Sequence, residues 1–337
     1  MDDLFLKIIS LENLCSSWEE FRVGKRKKQD VLTFERHLEN NLFSLHSQLK
    51  HKSYRHYHYT SFYITDPKLR HIHKAIVRDR IVHHAVYRLL YPIFDKGFIY
   101  DSYSCRNYKG THRAVKRLED FTRKVSRNYT HPCFVLQCDV RKFFASVDHE
   151  VLKNLISRKI RGEGTMWLIE NIIDSFGENR KRSKSGQINF DFASPKGMPI
   201  GNLTSQLFAN IYLHELDRFV KHDLKEQYYI RYCDDFTILS DDKDYLELLS
   251  LKIDNFLQQE LKLSLHEDKN TIRKLGQGID FLGYVVLPYH TVLRTKTKKR
   301  MLKRVNENNK SSYLGILKHC DGYELEKKIE EIVPKSK

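Results

Sequence analysis

Apolar residues recur along the first 50 positions at the three- and four-residue spacing of amphipathic helices. Residues so spaced share one face of a helix, and that face is normally buried. The same spacing continues over 72–90, and Pro92 follows it. This part of the chain is therefore predicted to be mainly helical. Its first two stripes are Leu4, Ile8, Leu11 and Trp18, and then Leu38, Leu42, Leu45 and Leu49.

Further along, the pattern changes to that of strands. The run at 133–140, CFVLQCDV, is apolar up to an acid near its end, as is typical of a buried strand. The run at 228–240, YYIRYCDDFTILS, predicts two strands joined by a two-residue turn, with Asp234 and Asp235 at its tip. Two shorter strand-like pieces occupy 262–265 and 279–286.

Helices are predicted between these strands. Asp148 should cap a helix that follows the first strand, and a second helix covers 165–176. A long helix should run from about 202 to about 220, and Asp241 or Asp242 should cap the next one. No internal repeat and no Pro/Gly/Ser-rich linker separates these elements. Mixed helices with a short antiparallel hairpin predict an α+β fold whose subdomains interleave.

The composition indicates a folded, soluble protein. Hydrophobic residues make up 40% of the 337 positions, which excludes wholesale disorder because such a chain can bury a core. The longest apolar runs, such as 281–287, are too short to span a bilayer, and the first ten residues do not resemble a signal peptide. The six cysteines form no CxxC pair, so we expect reduced thiols and a cytoplasmic location without membrane attachment.

The formal net charge of +16 is concentrated in two blocks. Residues 50–117 carry 15 Lys and Arg against four acids, with tyrosines between them, and residues 291–337 carry 13 against six. Cations interleaved with aromatic rings suit a phosphate backbone with partly unstacked bases. A solvated basic face is the alternative interpretation. Two separate basic blocks favour a groove that binds nucleic acid.

Three carboxylates stand out against this basic background. Asp139 ends the predicted buried strand, and Asp234 and Asp235 are adjacent in a turn that lacks glycine. Each acid has an ordinary explanation, since Asp is common in turns. Adjacent carboxylates in an apolar setting repel each other unless a cation intervenes, however, and hard oxygen ligands suit Mg²⁺. Two such ions would activate a 3′-hydroxyl and stabilise a leaving pyrophosphate, which predicts nucleotidyl transfer on a nucleic acid.

Five segments that contain these acids or flank them resemble, in order, the motifs of reverse transcriptases. The resemblance covers about 65–286, two thirds of the chain, and five ordered motifs are far more specific than the YxDD pattern alone. The first segment resembles the fingers motifs of the bacterial, group II intron-like branch, and the other four resemble successive palm motifs. They are 66–114 (DPKLRHIHKAIVRDRIVHHAVYRLLYPIFDKGFIYDSYSCRNYKGTHRA), 134–149 (FVLQCDVRKFFASVDH), 196–213 (KGMPIGNLTSQLFANIYL), 231–236 (RYCDDF) and 281–284 (FLGY).

The second palm motif indicates which branch of the reverse transcriptases the chain resembles. Most group II intron enzymes carry a QGxxxSP pattern there, whereas 200–206 reads IGNLTSQ and is similar to the diversity-generating retroelement reverse transcriptases. The retron patterns VTG and NAxxH are absent, and the short basic tail also fits the retroelement enzymes. The resemblance implies a right-hand polymerase fold. It comprises an N-terminal helical extension (1–60), interleaved fingers and palm with a small antiparallel sheet (61–286), and a short basic helical thumb (287–337).

The same resemblance implies a function and partners. Such an enzyme copies a template-repeat RNA, from a cDNA or DNA primer and with dNTPs, into error-prone, adenine-mutagenised cDNA that diversifies a variable-repeat target gene. This process is mutagenic retrohoming, and its expected partner is a small basic oligomeric accessory variability protein. The alternatives are another bacterial reverse transcriptase, of the group II intron or phage-defence type, and a non-catalytic palm retained as an RNA-binding scaffold.

The resemblance also assigns roles to single residues. Asp139, Asp234 and Asp235 become the catalytic acids that hold two Mg²⁺ ions, although Asp235 is expected to tune the site rather than to bind both ions. The carbonyl of Val140 is a further metal ligand. Phe144 would place its ring beneath the sugar and exclude a 2′-hydroxyl, unless it is simply a core aromatic.

The remaining assignments concern the nucleotide and the template–primer. Ile200 occupies the position where many relatives have a Gln beside the nucleotide, so it can contact the nucleotide but cannot form a hydrogen bond with it. The alternative interpretation is that Ile200 is simply an apolar packing residue. The other nucleotide-binding residues are Lys68 and Arg70 for the triphosphate, Gly201, and Lys269, whose motif approaches the departing phosphate. Arg106 is expected to order the template or the fingers, and Phe281, Leu282, Gly283 and Tyr284 to seat the primer end.

Overall fold

The computed structural model describes residues 2–66, 68–176 and 195–334. The chain forms two compact units that interleave along the sequence. The first unit comprises Met1–Ile99, Arg141–Leu216 and Leu257–Leu263, and the second comprises Tyr100–Val140, Asp217–Phe256 and Ser264–Lys337.

The described ranges contain runs of helices and runs of strands. The helices are α1 (Asp3–Ile9), α2 (Leu11–Arg22), α3 (Gln29–Glu35), α4 (Leu38–Lys50), α5 (Val77–Asp95), α6 (Thr111–Val125), α7 (Phe143–Ser146), α8 (His149–Ser157), α9 (Glu163–Asp174), α10 (Leu203–Arg218), α11 (Lys243–Leu261), α12 (Thr295–Arg304), α13 (Lys310–Leu317) and α14 (Tyr323–Ile332). The strands are β1 (Thr60–Ile64), β2 (Arg70–Lys74), β3 (Phe134–Asp139), β4 (Tyr229–Tyr232), β5 (Asp235–Ser240), β6 (Thr271–Lys274), β7 (Ile279–Phe281), β8 (Tyr284–Val286) and β9 (Thr291–Leu293).

The first unit is mainly helical, as the apolar spacing predicts. Helices α1 to α4 bury their apolar stripes, and Trp18 and Leu45 are almost completely inaccessible to solvent. Asp2 caps α1 by accepting from the Phe5 amide, and it also accepts from the amide of Thr165 at the start of α9. Asp148 caps α8 by accepting from the Val151 amide, which confirms the predicted cap.

The helix predicted over 72–90 is wrong at both ends. Residues 70–74 form β2, which pairs antiparallel with the unpredicted strand β1, so α5 begins only at Val77. The helix also continues past Pro92 to Asp95. Proline lacks an amide hydrogen and removes one helical hydrogen bond, but here it lies within the last turn, where the loss interrupts little of the helix.

The second unit contains two small antiparallel sheets, which confirms the α+β class. The order of strands in the larger sheet is β4-β5-β3-β6, and the smaller sheet is β7-β8-β9. The predicted strand at 133–140 is β3, at the centre of the larger sheet. Its Val135 is fully buried in a core with Leu118 and Ile230. Asp242 caps α11 through the Tyr245 amide.

Two strand predictions need correction. Residues 262–265 form no strand, and only Leu265 makes an isolated bridge, to Val140. The segment 279–286 is a hairpin of β7 and β8 rather than one strand, because Leu282 and Gly283 both have positive φ and form a two-residue turn.

All six cysteines are free. Within the described ranges, no helix combines the length and the apolar character that crossing a bilayer requires.

Candidate active site

The hairpin of β4 and β5 carries the acids at one end of the larger sheet. Tyr232 pairs with Asp235 across the hairpin, so the two turn residues are Cys233 and Asp234. The predicted turn of Asp234 and Asp235 is therefore shifted by one residue, and Asp235 is the first residue of β5. Cys233 has a φ of 57°, a conformation that usually selects glycine. The backbone is thus strained immediately before Asp234.

Strand β3 brings the third acid to the same end of the sheet. Asp139 is directly opposite Asp235 in the β3–β5 register, and the amide of Val140 donates to the carbonyl of Asp234 at 3.3 Å. The structure thus gathers the three predicted acids, and Val140 with them, from segments 95 positions apart in the sequence.

The charges at this end of the sheet are only partly balanced. Burial raises the pKa of the Asp234 carboxyl, and the nearby charge of Asp139 raises it further, whereas Lys269 acts in the opposite direction. The Nζ of Lys269 lies 2.9 Å from Oδ2 of Asp139. Lys269 is held in this place because the amide of His266, three residues earlier, donates to the carbonyl of Asp139 at 2.8 Å. The structure therefore brings Lys269 to the acids, and its predicted approach to the departing phosphate stays a prediction.

The acids fit a divalent cation that takes part of its coordination from a substrate. In the part of the chain that the structure describes, no three His, Cys, Asp or Glu side chains form a ready-made metal centre. Mg²⁺ in phosphoryl-transfer sites is commonly held by one or two carboxylates together with substrate phosphates and water. Burial is the main cause of the raised pKa of Asp234, and the charge of Asp139 adds to it, so a bound cation would favour the ionised carboxylate.

A buried ion pair supports the strained turn. The guanidinium of Arg231, on β4, is fully buried and donates to both carboxylate oxygens of Asp217, at 2.7 and 2.6 Å. Its Nη1 also donates to the carbonyl of Cys233 at 3.1 Å. Arg231 is not among the site residues predicted from the sequence. A charged residue inside an otherwise apolar strand was the available signal, because an Arg is almost never fully buried unless it is paired.

In the first unit, the second palm motif lies beside β2. The carbonyl of Ile200 accepts from the amide of His73 at 3.0 Å. Gly201 has a φ of 115°, and a Cβ at this position would lie 2.9 Å from Ile72. Glycine is therefore required at 201, for its backbone conformation and for this close approach. Ile200 is half-buried.

The two predicted triphosphate residues are exposed. Arg70 is the first residue of β2, and Lys68 precedes that strand by two positions. The Lys68 side chain and the Arg70 side chain form no ion pair with any described residue, so both are available to an anion. The structure places Arg70, Ile200 and Gly201 in one unit, together with Phe144.

Phe144 follows a short turn after Asp139. Its carbonyl accepts from the amide of Met198 at 2.6 Å, and its side chain is half-buried. The neighbouring Phe143, by contrast, is almost fully buried, and its ring lies 6.3 Å from that of Tyr212. Phe143 is thus the core aromatic of this pair, and part of the Phe144 ring remains accessible.

The predicted template and primer residues lie in the second unit. Arg106 donates from Nη1 to the carbonyl of Ser102, within its own loop. In the β7–β8 hairpin, the side chains of Phe281 and Tyr284 are buried, and Leu282 and Gly283 form the partly exposed tip. Of these four predicted residues, only the two at the tip are accessible enough to contact a primer.

The chain is similar to known proteins over about two thirds of its length. A family model described as reverse transcriptase (RNA-dependent DNA polymerase) matches residues 65–286. Protein YkfC of Escherichia coli K12 is 26% identical over 251 residues, which are 64% of this chain and 63% of that protein. The group II intron-encoded protein LtrA of Lactococcus lactis subsp. cremoris is 25% identical over 301 residues, 70% of this chain and 48% of that protein. The chain thus spans less than two thirds of the length of either relative.

Solved structures give a similar result for the fold. Apo telomerase from Candida tropicalis, truncated at its C-terminal domain, matches with a TM-score of 0.51 and 13% identity, over 77% of this chain and 60% of that one. Telomerase from Candida albicans, in complex with a fragment of telomeric RNA, matches with a TM-score of 0.50 and 12% identity, over 70% and 45%. At these identities the similarity concerns the fold alone, and it confirms the predicted right-hand fold.

Proposed function

Because the chain belongs to the reverse transcriptase family, we propose that it is an RNA-directed DNA polymerase, and that it serves a diversity-generating retroelement. One observation supports the polymerase activity above all others. The buried carboxyl of Asp234 and the carboxyl of Asp139 lie together at the end of the sheet, and the cation Lys269 contacts Asp139 beside them.

The acids would hold the metal. Divalent cations, two Mg²⁺ in our proposal, neutralise charge at the attacking 3′-hydroxyl and at the leaving pyrophosphate when they are bound. Asp139 and Asp234 supply carboxylate oxygens, and Val140 supplies its carbonyl. Asp235, as the first residue of β5 opposite Asp139, adds negative charge beside them and tunes the site.

Lys269 has two tasks in this proposal. It holds the Asp139 carboxylate in place before a nucleotide arrives, which the 2.9 Å contact supports. Its side chain is about half exposed, so it can turn toward the departing phosphate and stabilise the charge that develops there.

The first unit would select the nucleotide. Arg70 and Lys68 are exposed and unpaired within the described ranges, which suits charge-assisted bonds to a triphosphate. The partly accessible ring of Phe144 would contact the sugar and exclude a 2′-hydroxyl. Ile200 and Gly201 would line the nascent base pair by shape alone.

The template and primer are proposed to bind in the second unit. The Leu282–Gly283 tip would contact the primer end, which is a cDNA or DNA 3′ terminus. Arg106 orders its own loop through Ser102 and would thereby position the template indirectly.

The retroelement assignment rests on the second palm motif. The sequence IGNLTSQ at 200–206 is similar to that branch, which implies a template-repeat RNA, adenine-directed errors and an accessory variability protein as a partner. The similarity to LtrA favours a second candidate, a reverse transcriptase of the group II intron type. The two candidates differ in their natural template.

The test uses the purified chain with Mg²⁺, dNTPs and a primed RNA. Primer extension by the wild type, and none by Asp234→Asn, would support the polymerase. Sequencing of cDNA made on RNA with a flanking template repeat, with and without the accessory protein, would then separate the candidates. Errors concentrated at template adenines support the retroelement assignment, and accurate copying with preference for intron RNA contradicts it.

A further inference from the structure

Gln137 is a polar residue inside β3, the otherwise apolar strand that ends at Asp139. The backbone of β3 is paired on both sides, and Thr237 of β5 and Thr271 of β6 lie opposite Gln137. The side chain of Gln137 is half-buried, and its Nε2 donates to the carbonyl of Asp280 at 2.8 Å. A backbone carbonyl can only accept, so this bond also fixes which way the amide faces. Gln137 therefore links the strand of the acids to a segment 143 positions later in the chain.

The accepting carbonyl belongs to the smaller sheet. Asp280 is the middle residue of β7, which is an edge strand because the order of that sheet is β7-β8-β9. One side of an edge strand has no backbone partner within its own sheet. The Gln137 amide supplies a donor to this strand two positions before Leu282, the first residue of the β7–β8 tip. The two sheets are thus joined close to that tip.

The side chain of Asp280 continues the connection. Its Oδ1 accepts from Nε of Arg294 at 2.6 Å, and Nη2 of Arg294 donates to the same oxygen. The backbone amide of Arg294 donates in turn to the carbonyl of Gly283 at 3.0 Å. Successive contacts therefore run from Gln137 through Asp280 and Arg294 to Gly283, and all four residues lie in the second unit. We call this series the Gln137–Gly283 connection.

The connection starts close to the acids. Side chains two positions apart on a strand project from the same face, about 7 Å from each other. Gln137 and Asp139 therefore share one face of β3. Their spacing is fixed because β3 is paired with β5 at both positions. A segment that Gln137 holds is consequently held at a set distance from Asp139.

We propose that Gln137 and Arg294 are positioning residues for the primer end. They hold the Leu282–Gly283 tip at a fixed distance from Asp139, so that a 3′-hydroxyl seated by the tip meets the acids. This inference rests on the proposed function for the contact between the tip and the primer, and it names the residues that align the two. Alignment matters because a displacement of about 1 Å between reacting groups can cost about 10²-fold in rate.

The first test measures primer extension by the purified chain with Mg²⁺, dNTPs and a primed RNA. Gln137→Met nearly keeps the size of the side chain and removes the donor, and Gln227→Met, at an exposed glutamine of the same unit, is the matched control. We expect Gln137→Met to lower kcat about tenfold to a hundredfold, while the Kd for the primed RNA changes less than about twofold. A residue that only stabilised the fold would not separate kcat from Kd in this way. Weaker binding with an unchanged kcat, or equal effects of the two substitutions, would overturn the proposal.

The second test asks whether Gln137 and Arg294 act through one connection. Arg294→Gln should lower kcat by a similar factor, and Arg294→Lys, which keeps a charged donor for Asp280, should recover part of the loss. Removing either contact already releases the tip, so Gln137→Met/Arg294→Gln should retain a kcat within about threefold of the less active single variant. Losses that multiply in the double variant would show independent effects and would overturn the connection.

A measurement without catalysis separates this proposal from the proposed function. Hydrogen–deuterium exchange, followed by mass spectrometry, should be faster over 279–286 in Gln137→Met and in Arg294→Gln than in the wild type, and unchanged in Gln227→Met. A variant that failed to fold would exchange rapidly throughout the chain, and the Arg294 variants would then decide the question in place of Gln137→Met.

The outcomes are distinguishable. If the wild type extends no primer but exchange over 279–286 rises as expected, the proposed function fails and the connection stands. If the wild type extends primers and the variants change neither kcat nor exchange, the function stands and the connection fails.

Discussion

Lys269 donates from Nζ to Oδ2 of Asp139 at 2.9 Å, across 130 positions of sequence. This contact places the charge of Lys269, which lowers the pKa of the buried Asp234 carboxyl, directly on its acidic neighbour. Lys269 thus neutralises part of the negative charge that a metal ion would neutralise. When a substrate binds, Lys269 and the ion would both contact Asp139. The first two predictions follow from this arrangement.

Asp234→Asn should abolish primer extension and yet stabilise the metal-free protein at neutral pH. The native pKa of Asp234 is raised, so the folded state binds a proton more readily than the unfolded state. The free energy of unfolding therefore falls as the pH rises through the window between the ordinary carboxyl pKa and the raised one. Urea unfolding of both proteins at pH 4 and pH 7.5 is the measurement. The free energy of unfolding of the variant should exceed that of the wild type by more at pH 7.5 than at pH 4. Mg²⁺ should stabilise only the wild type, and near-normal extension by the variant would contradict the catalytic assignment.

Lys269→Gln should raise the pKa of Asp234 further and remove a charge from the departing phosphate. We expect kcat to fall by about 10²-fold, within the range of a catalytic proton donor or charge, and the acidic limb of the pH–rate profile to move to higher pH. Lys252→Gln, an exposed lysine of α11, is the control and should behave like the wild type. An unshifted acidic limb would mean that the contact with Asp139 has no electrostatic effect on the site.

Arg231→Met should destabilise the second unit by about 3–5 kcal/mol, because it leaves the carboxylate of Asp217 buried without its cation, although the Tyr229 hydroxyl still donates to it. The double variant Arg231→Met/Asp217→Leu should recover much of this loss in urea unfolding. It should not recover activity, since the carbonyl of Cys233 still lacks its donor in the strained turn. Full activity of the double variant would show that Arg231 contributes only stability.

Phe144→Ala should admit ribonucleotides into the product, because the steric wall is removed while the acids are untouched. The measurement is the ratio of kcat/KM for a dNTP and the matching rNTP. Phe144→Tyr keeps the wall and should retain the selectivity of the wild type. An unchanged ratio in an active Phe144→Ala enzyme would leave Phe144 as a packing residue.

Ile200→Gln should lower misincorporation, chiefly opposite template adenine, while polymerisation persists. An amide can reject a mispair by leaving polar groups without partners, whereas apolar contact discriminates by only about 1–3 kcal/mol. Ile200→Val keeps the apolar contact and serves as the control. The measurement is deep sequencing of cDNA made by all three proteins on one RNA. If Ile200→Gln leaves the error spectrum unchanged, Ile200 does not determine misincorporation.

The sequence alone determined the class of fold, the motif order and several local structures. The apolar stripes of the N-terminal helices, the buried strand that ends at Asp139, and the caps at Asp148 and Asp242 all follow from interactions within a few residues. Such interactions can be predicted from the spacing of residue types along the chain. The three acids were found in the same way, because charged side chains stand out in apolar runs.

Only the tertiary structure decided the features that depend on distant partners. The exposed hairpin of β1 and β2 carries little apolar periodicity, and its pairing makes the predicted helix begin five residues later, at Val77. The turn at Cys233 is fixed by the pairing of Tyr232 with Asp235. The burial of Arg231 depends on Asp217, and the position of Lys269 depends on Asp139. A charged side chain is stable in a core only when folding brings its partner within bonding distance, and the same holds for a lysine that contacts an acid. Because the partner is distant in the sequence, no local pattern of residues predicts it.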